Sequence, residues 1–514
     1  MSTLLIFNFD GTSNEPSDAE QSINGQGTKK DDNMTNILKF HLLCGGNLKS
    51  TSGQASGWRD SSQKCFYYSG VGTYGSKLRR TLNALISPEK SDIAHILNQA
   101  KADFIQHFQE GDEVLLTGFS RGGALARRFC SIMSKDMPDI KIYQAIFETV
   151  ASIGLPNLGK KDRPKSDVIF EHGHTLAPTV KKALHMVSLD DKRKAFQPTL
   201  MNFDERILEV WFSGAHSDVG GGYYRDGLSD ISFRFMLNWL EDLPIKLTLK
   251  TVDDIDFTTL SPENVKYNIS VDDVIITPNI FGKNHQQNRL PGIDWFTLTD
   301  RRCCVIANDK ITKKSPIVNH SVAQRINGDS NYRPNTLKGV QHKIIYPSGE
   351  IVTAQGLKDH ILFAKRNLKT LEVDQSVIVP IFAYEPNNHT ALMLEKGKSY
   401  QFTVEKTADD EHQQWLDANI HSDANGWDRG DVSLGLKEIA LAAMAPFKRF
   451  PDAKWFSLIG SIGTARDDTF LIGSELAHFT APKSGEFCAF ANDLERYYGN
   501  NSGKLLLTVK CIST

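Results

Sequence analysis

Short apolar runs alternate with longer amphipathic stretches over the first two thirds of the chain. Residues 90–108 carry apolar side chains at i, i+3 and i+4 spacing, which is typical of an amphipathic helix. Strands that alternate with helices favour a mostly parallel sheet with helices on both faces, which is an α/β fold. The runs that predict strands lie within residues 4–9, 65–73, 114–116, 140–154 and 205–223.

The pattern changes after about residue 345. Short apolar or alternating runs, such as VIVPIF and KLLLTV, are separated by turn residues, which is typical of antiparallel β structure. We therefore predict an α/β domain over 1–345, a linker or edge segment over 346–374 and an all-β sandwich over 375–514. Within the sandwich, residues 434–448 indicate a helix or a long insertion.

Composition indicates a soluble globular protein and excludes some partners. Hydrophobic residues make up 40% of the 514 residues, so the chain can bury more than one core. The formal net charge of −2 and the lack of a dense basic tract argue against nucleic acid as a partner. The N-terminus lacks signal-peptide features and no run of 18 apolar residues occurs, so we expect neither a signal peptide nor a transmembrane helix.

The seven cysteines are scattered along the chain. None forms a C-x-x-C pair, so the sequence predicts no zinc site. Their odd number and scattered placement favour synthesis in a reducing compartment.

The stretch VLLTGFSRGGALARRFC, residues 114–130, places a serine between a predicted strand and a predicted helix. Gly118, Ser120 and Gly122 have G-x-S-x-G spacing. A strand, a sharp turn and a helix in this order form a nucleophile elbow, in which the serine hydroxyl is exposed. We therefore predict that Ser120 is a nucleophile. A phosphate-binding or purely structural turn is the alternative.

A serine nucleophile needs a base, usually histidine, that a carboxylate orients. Two later strand ends supply candidates, since Glu148 follows IKIYQAIF and His216 follows the strand LEVWF. The order Ser, acid, His is that of α/β-hydrolases. We predict a triad of Ser120, Glu148 and His216. The competing candidates are Asp190 and Asp218 for the acid and His320 for the base, whereas His185 is expected to be structural, on a helix or helix edge.

Seven motifs follow one another over roughly residues 1–340. They are FDGT, YYSGVGT, GFSRGGALAR, FETVASIG, HMVSLDDKRKAFQP, EVWFSGAHSDVGGGY and YRP. Together they resemble the DUF2235 α/β-hydrolases, which include the Tle1-type phospholipase effectors of bacterial type VI secretion. The resemblance implies an α/β-hydrolase fold and an esterase acting on phospholipid acyl esters, with Ser120 as nucleophile and His216 as base. The family usually has Asp where this chain has Glu148.

The FDGT motif ends the first predicted strand. We predict that the backbone amides of Gly11, Thr12 and Arg121 form the oxyanion hole, because helix N-termini and preorganised amides stabilise developing negative charge. Asp10 of the same motif is a secondary candidate site residue.

The C-terminal segment carries a second set of motifs. Asn492-Asp493 and the run YYGNNSG at 497–503 resemble the calcium-dependent galactophilic lectins of the PA-IL (LecA) type. This resemblance covers about residues 375–514 and implies a β-sandwich that binds calcium and a galactose-type glycan. Calcium prefers several oxygen ligands. The predicted ligands are Asp493, Tyr497, Asn500 and Asn501, and an Asn/Gly turn without a metal is the alternative.

Together these expectations describe a serine phospholipase that needs no cofactor for catalysis and whose target is a phospholipid membrane surface. The resemblance implies synthesis in a bacterial cytoplasm and delivery into the periplasm of a target cell, with a type VI secretion spike component and an immunity protein as partners. Two alternatives stay open. One is a glycan-binding protein on an inactive hydrolase scaffold, and the other is an intracellular esterase for a small soluble ester.

Overall fold

The chain divides into two compact units. The first comprises Met1–Ile275, Ile280–Lys343 and Thr353–Ile361, and the second comprises Ile276–Asn279, Ile344–Val352 and Leu362–Thr514. The computed structural model describes residues 2–11, 34–48, 62–70, 89–150, 176–223, 227–260, 269–276, 278–285, 298–308, 310–329, 331–358, 368–405, 415–417, 420–428, 444–463, 468–494, 498 and 501–513.

A nine-stranded sheet, in the order β11-β10-β9-β6-β5-β4-β3-β1-β2, contains all the long parallel strands of the first unit. The six neighbouring pairs in the part β9-β6-β5-β4-β3-β1-β2 are all parallel, so the predicted α/β class is confirmed. The strands are β1 (Leu4–Phe9), β2 (Gln63–Tyr68), β3 (Glu113–Phe119), β4 (Lys141–Phe147), β5 (Val180–Ser188), β6 (Ile207–Phe212), β9 (Ile317–Asn319), β10 (Gln341–Ile345) and β11 (Ile351–Gln355), and β7 (Ile306–Ala307) and β8 (Lys310–Ile311) form a separate small ribbon.

Helices join these strands. The longest of the described helices, α2 (Glu89–His107) and α3 (Arg121–Asp136), bury apolar faces against the sheet. The rings of Phe104 in α2 and Phe129 in α3 lie 6.3 Å and 5.2 Å from the ring of Phe7 in β1. Burying such aromatic side chains is a main source of stability in an α/β core. The helices are α1 (Asn36–Leu43), α2 (Glu89–His107), α3 (Arg121–Asp136), α4 (His216–Gly220), α5 (Leu228–Glu241), α6 (Val271–Val274) and α7 (His320–Gly328).

His185 lies in β5, so its predicted placement on a helix or helix edge is wrong. Strand β5 is flanked by β4 and β6 on its two sides, and Ala183–Ser188 are all buried. A central strand of a parallel sheet is apolar on both faces and therefore lacks the alternation that distinguishes a strand from a helix. The imidazole of His185 accepts a hydrogen bond from the Thr149 amide at 3.2 Å and donates to Glu209 at 2.8 Å.

The second unit contains two four-stranded antiparallel sheets, ordered β12-β22-β14-β19 and β13-β20-β17-β18. Their inner faces share one core, in which the rings of Phe402 and Phe487 lie 5.0 Å apart. A third sheet has the order β16-β15-β21. The strands are β12 (Ser376–Phe382), β13 (Asn388–Leu394), β14 (Ser399–Val404), β15 (Trp415–Asp417), β16 (Ile420–Ser422), β17 (Leu458–Ile462), β18 (Thr469–Leu471), β19 (Glu475–Thr480), β20 (Gly485–Ala491), β21 (Asn501–Ser502) and β22 (Lys504–Ser513).

The predicted change to antiparallel β structure in the C-terminal part is therefore confirmed. Of the stretch predicted as a helix or insertion, Ala445–Phe447 forms a short 3-10 helix, and residues 434–443 lie outside the described residues. Within the described residues, every helix is too short or too polar to span a bilayer.

Candidate active site

Ser120 occupies the sharp turn between β3 and α3. Its backbone has φ 56° and ψ −123°, a conformation that L-residues rarely adopt outside strained turns. Its amide donates to the Phe147 carbonyl at 3.1 Å, which ties the turn to the end of β4. A Cβ atom at Gly118 would lie 2.6 Å from the Gly122 carbonyl oxygen, and one at Gly122 would lie 2.2 Å from the carbonyls of Phe9 and Asp10. The glycines of the motif are thus required by close backbone approach.

Glu148 follows β4, the neighbour of β3, and is completely buried. Its Oε2 atom lies 2.9 Å from Nδ1 of His216, and its Oε1 atom accepts hydrogen bonds from the Arg301 guanidinium at 2.8 Å and from the Ser188 amide. Burial alone would raise the pKa of Glu148. The charge of Arg301 and the contact with His216 outweigh it and hold the pKa below its ordinary value. Glu148 is therefore a carboxylate at neutral pH and can only accept hydrogen bonds.

His216 begins α4, just after the carboxyl end of β6. Because Glu148 is ionised, Nδ1 of His216 carries the proton that it donates, which leaves Nε2 as the basic nitrogen. Nε2 is buried and has no hydrogen-bond partner among the described residues. The imidazole packs between Phe119, the residue before Ser120, and Phe196, with ring centroids 4.7 Å and 5.0 Å away. Burial lowers the pKa of His216 below 6.5, although Glu148 and Asp191 act against it.

Arg301 is the site residue that the sequence gives no means of finding. Its guanidinium is buried and donates to Glu148, to the Ser188 carbonyl at 2.8 Å and to the Phe196 carbonyl at 2.6 Å. It lies 153 residues beyond Glu148, in a stretch without a recognisable motif. The ion pair fixes the acid in position and keeps it charged.

Asp191 also contacts the histidine and was not among the predicted residues. Its Oδ2 atom accepts from the His216 amide at 3.1 Å, and Arg193 forms an ion pair with the same carboxylate. Burial raises the pKa of Asp191, but Arg301 and Arg193 outweigh burial and lower it to about 2. In the sequence Asp191 lies within the motif HMVSLDDKRKAFQP, whose charged run DDKRK does not indicate which residue it contacts.

The alternative acids have other partners. Asp190 accepts from the Gly214 amide, from Asn284 and from the Tyr332 hydroxyl, each at 2.8 Å. Burial raises the pKa of Asp190 to about 6.

Asp218 forms an ion pair with His285 at 2.6 Å, and its Oδ2 atom accepts from the Ala215 amide at the start of α4. His320, the alternative base, lies at the start of α7 beyond β9. Among the described residues, the histidine that contacts Glu148 is His216.

The predicted oxyanion-hole residues are only partly described. Arg121 opens α3, so its amide lies in the first helical turn, where backbone N–H groups lack intrahelical acceptors. Gly11 follows Asp10, whose carbonyl approaches Gly122. The Gly11 amide donates to the Asp10 carboxylate at 2.6 Å, so it is not directed at an oxyanion as predicted. Thr12 lies outside the described residues.

Asp10 is buried beside this turn and accepts hydrogen bonds from Tyr67 at 2.5 Å, from Thr35 at 2.8 Å and from the Gly11 amide at 2.6 Å. Burial raises the pKa of Asp10 to about 6, although these hydrogen bonds lower it in part. The carboxylate therefore holds the loop after β1 in place.

In the second unit, two of the four predicted calcium ligands can be compared with the structure. Asp493 and Asn501 are buried and adjacent, and Asn501 Nδ2 donates to Asp493 at 3.1 Å. Among the described residues, no basic side chain pairs with Asp493, and Asn501 Oδ1 has no hydrogen-bond partner. Burial raises the pKa of Asp493. Tyr497 and Asn500 lie outside the described residues.

A comparison with protein families bears on the first unit. Residues 4–137 and 131–239 match the model of the catalytic domain of the T6SS phospholipase effector Tle1-like family. This part of the chain resembles a Tle1-like catalytic domain. The match confirms the resemblance expected from the motifs. The matched residues include Ser120, Glu148 and His216.

Solved structures also show similarities. An uncharacterized protein from Pseudomonas aeruginosa is 18% identical over 46% of this chain and 45% of its own, with a TM-score of 0.31. The Tle1 effector solved bound to the VgrG spike is 21% identical over 44% of this chain and 52% of its own, with a TM-score of 0.28. The chain thus spans about half the length of these two proteins. The PllA-like lectin that forms the EclA N-terminal domain is 14% identical over 26% of this chain and 94% of its own, with a TM-score of 0.17. No curated protein matches.

Proposed function

We propose that the first unit is a serine esterase that hydrolyses acyl esters of membrane phospholipids, a reaction of the phospholipase A type. One observation carries the proposal. The buried contact between Glu148 and His216 leaves Nε2 of the histidine basic. Ser120 lies in a strained turn directly after Phe119, whose ring packs on the same histidine. A base oriented by a carboxylate beside a serine elbow is the arrangement that acyl transfer requires.

The reaction follows from these roles. Nε2 of His216 accepts the proton of Ser120 Oγ as the oxygen attacks the ester carbonyl. The carboxylate of Glu148 stabilises the imidazolium, and the amide of Arg121 at the start of α3 stabilises the oxyanion. His216 then protonates the leaving alcohol oxygen of the lysophospholipid. Water, deprotonated by the same histidine, attacks the acyl-enzyme, releases the fatty acid and restores Ser120.

Fatty-acid release from phosphatidylethanolamine/phosphatidylglycerol vesicles tests this proposal, with the full chain compared with Ser120→Ala. Release should fall by about 10⁴-fold or more in the variant, because the nucleophile is lost. Ser131→Ala, a partly exposed serine on the same helix, is the matched control and should retain full activity.

The other outcomes separate the alternatives. Rapid cleavage of short soluble esters with no preference for vesicles would indicate a small-ester esterase. Failure of the native chain to cleave any ester would reject the proposed activity and favour a glycan-binding protein on an inactive scaffold.

For the second unit we propose a calcium site that uses Asp493 and Asn501, with Tyr497 and Asn500 as further ligands, and that serves a galactose-type glycan. The support is a buried carboxylate and a neighbouring amide oxygen that, among the described residues, have no basic partner and no hydrogen-bond donor respectively, because a dication would satisfy both. Calorimetric titration of the full chain with calcium should give binding that Asp493→Asn weakens. Asp374→Asn, a change at an exposed carboxylate, should leave calcium binding unaltered.

A column of galactose-agarose tests the glycan. Retention of the chain only when calcium is present would support calcium-dependent binding of galactose. Retention that EDTA does not alter would show that glycan binding does not depend on calcium and would reject this part of the proposal.

We further propose that the chain is a type VI secretion effector that acts in the periplasm of a target cell and is carried by a spike component. The Tle1 effector that this chain resembles was solved on the VgrG spike. Expression of the chain with an added periplasmic signal should arrest a bacterial host, and expression of Ser120→Ala should not. Equal toxicity of the two would contradict the proposal, and loss of toxicity on co-expression of a neighbouring gene product would identify an immunity protein.

A further inference from the structure

Three side chains with metal-binding atoms lie on two adjacent strands of the second unit. His389 of β13 is directly opposite Cys488 of β20, and Glu486 comes two residues before Cys488. Residues that are opposite each other or two apart on a strand share a face of the sheet. Phe487 and Ala489, which alternate with them, point into the main core. The three side chains therefore lie together on the opposite face.

Their atoms converge on one point. Nδ1 of His389 lies 3.0 Å from Glu486 Oε2 and 3.5 Å from Cys488 Sγ, and all three ligand atoms lie within 4.8 Å of one another. Both neighbours approach the same ring nitrogen. A Cys–His–acid proton relay would use the two ring nitrogens separately, so this is not the geometry of a second catalytic triad.

The strand geometry supports this convergence. The register of β13 and β20 shifts between His389 and Met393, and Ala391 within this bulge has φ 60°. The Ala391 amide donates to Oε1 of Glu486 at 3.1 Å, which holds the carboxylate so that Oε2 faces His389. Hydrogen bonds of this kind commonly orient metal ligands. Cys488 is fully buried and His389 nearly so, which makes the positions well defined.

We propose that His389, Glu486 and Cys488 bind a divalent transition metal of the zinc type, with solvent or a further ligand in the fourth position. Zinc bonds of about 2.1 Å to nitrogen or oxygen and about 2.3 Å to sulfur place tetrahedral ligand atoms about 3.3–3.6 Å apart. The two contacts of His389 Nδ1, at 3.0 Å and 3.5 Å, lie close to these separations. A thiolate and an imidazole select zinc over calcium, so this site is distinct from the oxygen-ligand site proposed at Asp493. Binding releases the thiol proton of Cys488.

Cobalt(II) is the probe, because its thiolate complexes absorb in the near ultraviolet. The full chain, without an affinity tag and dialysed against a chelator, should bind one cobalt ion with a thiolate-to-cobalt band that added zinc removes. Cys488→Ser should abolish the band. Cys511→Ser, which changes another buried thiol of the same unit, should keep it.

A second variant covers the case in which Cys488→Ser fails to fold. His389→Gln keeps the thiol and should weaken cobalt binding by more than about 100-fold, beyond the loss expected for an outer-shell partner. Absence of a thiolate band in the native chain would overturn the proposal. An unchanged band in Cys488→Ser, or unchanged affinity in His389→Gln, would also overturn it.

Discussion

The guanidinium of Arg301 and the imidazole of His216 contact opposite oxygens of the Glu148 carboxylate, at 2.8 Å and 2.9 Å. The Glu148 carboxylate is thus charged and fixed in place, because Arg301 binds one of its oxygens and His216 binds the other. Replacing Arg301 with Gln should leave a buried carboxylate without its cation, which typically destabilises a protein by about 3–5 kcal/mol. We expect ester hydrolysis to fall by about 10²–10⁴-fold, because the base is no longer held and stabilised.

Urea unfolding and hydrolysis of a short soluble ester measure these two effects. Arg302→Gln removes an exposed neighbour of the same type and should change neither. Native activity in Arg301→Gln would mean that Glu148 is not the acid of a triad.

The pH dependence of kcat/KM should report His216. Burial lowers the pKa of His216 below 6.5, so its neutral, basic form persists into mildly acidic solution. The acid limb of kcat/KM should therefore have its midpoint below pH 6.5. Asp191→Asn removes a negative charge that raises the pKa of His216, so it should move this limb to still lower pH. A soluble ester is the better substrate for this measurement, because the charge of a vesicle surface then does not influence the pH profile. Asp139→Asn is the control at an exposed carboxylate, and a limb above pH 6.5 would contradict the assignment.

Gly122→Ala should disrupt the elbow. Its added Cβ atom would lie 2.2 Å from the carbonyl oxygens of Phe9, the last residue of β1, and of Asp10, which follows it. These backbone atoms cannot rotate away as a side chain could. We expect a loss of at least about 1–3 kcal/mol in the free energy of unfolding. Activity should fall further, since the displaced backbone lies against the turn that holds Ser120. Thermal unfolding and ester hydrolysis would measure both, and a fully active, native-like variant would show that the loop and the helix need no close contact.

Asp10 should make the first unit less stable as the pH rises. Its pKa is raised from 3.8 to about 6, so folding favours the protonated carboxyl. The stability that this group contributes is present below the unfolded pKa and is lost as the pH rises through about 6. The difference corresponds to about 3 kcal/mol. Urea unfolding at acidic and neutral pH should show a smaller pH dependence in Asp10→Asn than in the native chain. Asp190 adds a similar dependence to both proteins, and an unaltered dependence in the variant would refute the role of Asp10.

The pattern of apolar and polar residues predicted those parts of the fold that are formed by consecutive residues. The elbow around Ser120 needs a strand, a turn and a helix in succession, and all three are adjacent in the sequence. The contact between Glu148 and His216 could be predicted because each residue follows a buried strand, and parallel strands bring their carboxyl ends to one edge. The antiparallel strands of the second unit had clear turn residues between them.

Partners from distant segments could not be predicted in this way. Arg301 reaches Glu148 from a segment far along the chain, and the sequence around it has no distinctive spacing. His185 was misplaced because a strand buried on both faces has no alternation. The cluster of His389, Glu486 and Cys488 likewise has no local signal in the sequence. His389 and Cys488 are 99 residues apart and meet only through strand register.

The backbone of Ser120 has a further consequence for the molecule as a whole. At φ 56° and ψ −123° a side chain is strained by about 1–3 kcal/mol, whereas glycine adopts such a conformation freely. Folding alone would therefore select glycine at position 120. The native chain is therefore expected to be less stable than its Ser120→Gly variant, which lacks the nucleophile. The hydroxyl on which the proposed chemistry depends thus lowers the free energy of unfolding of the protein that contains it.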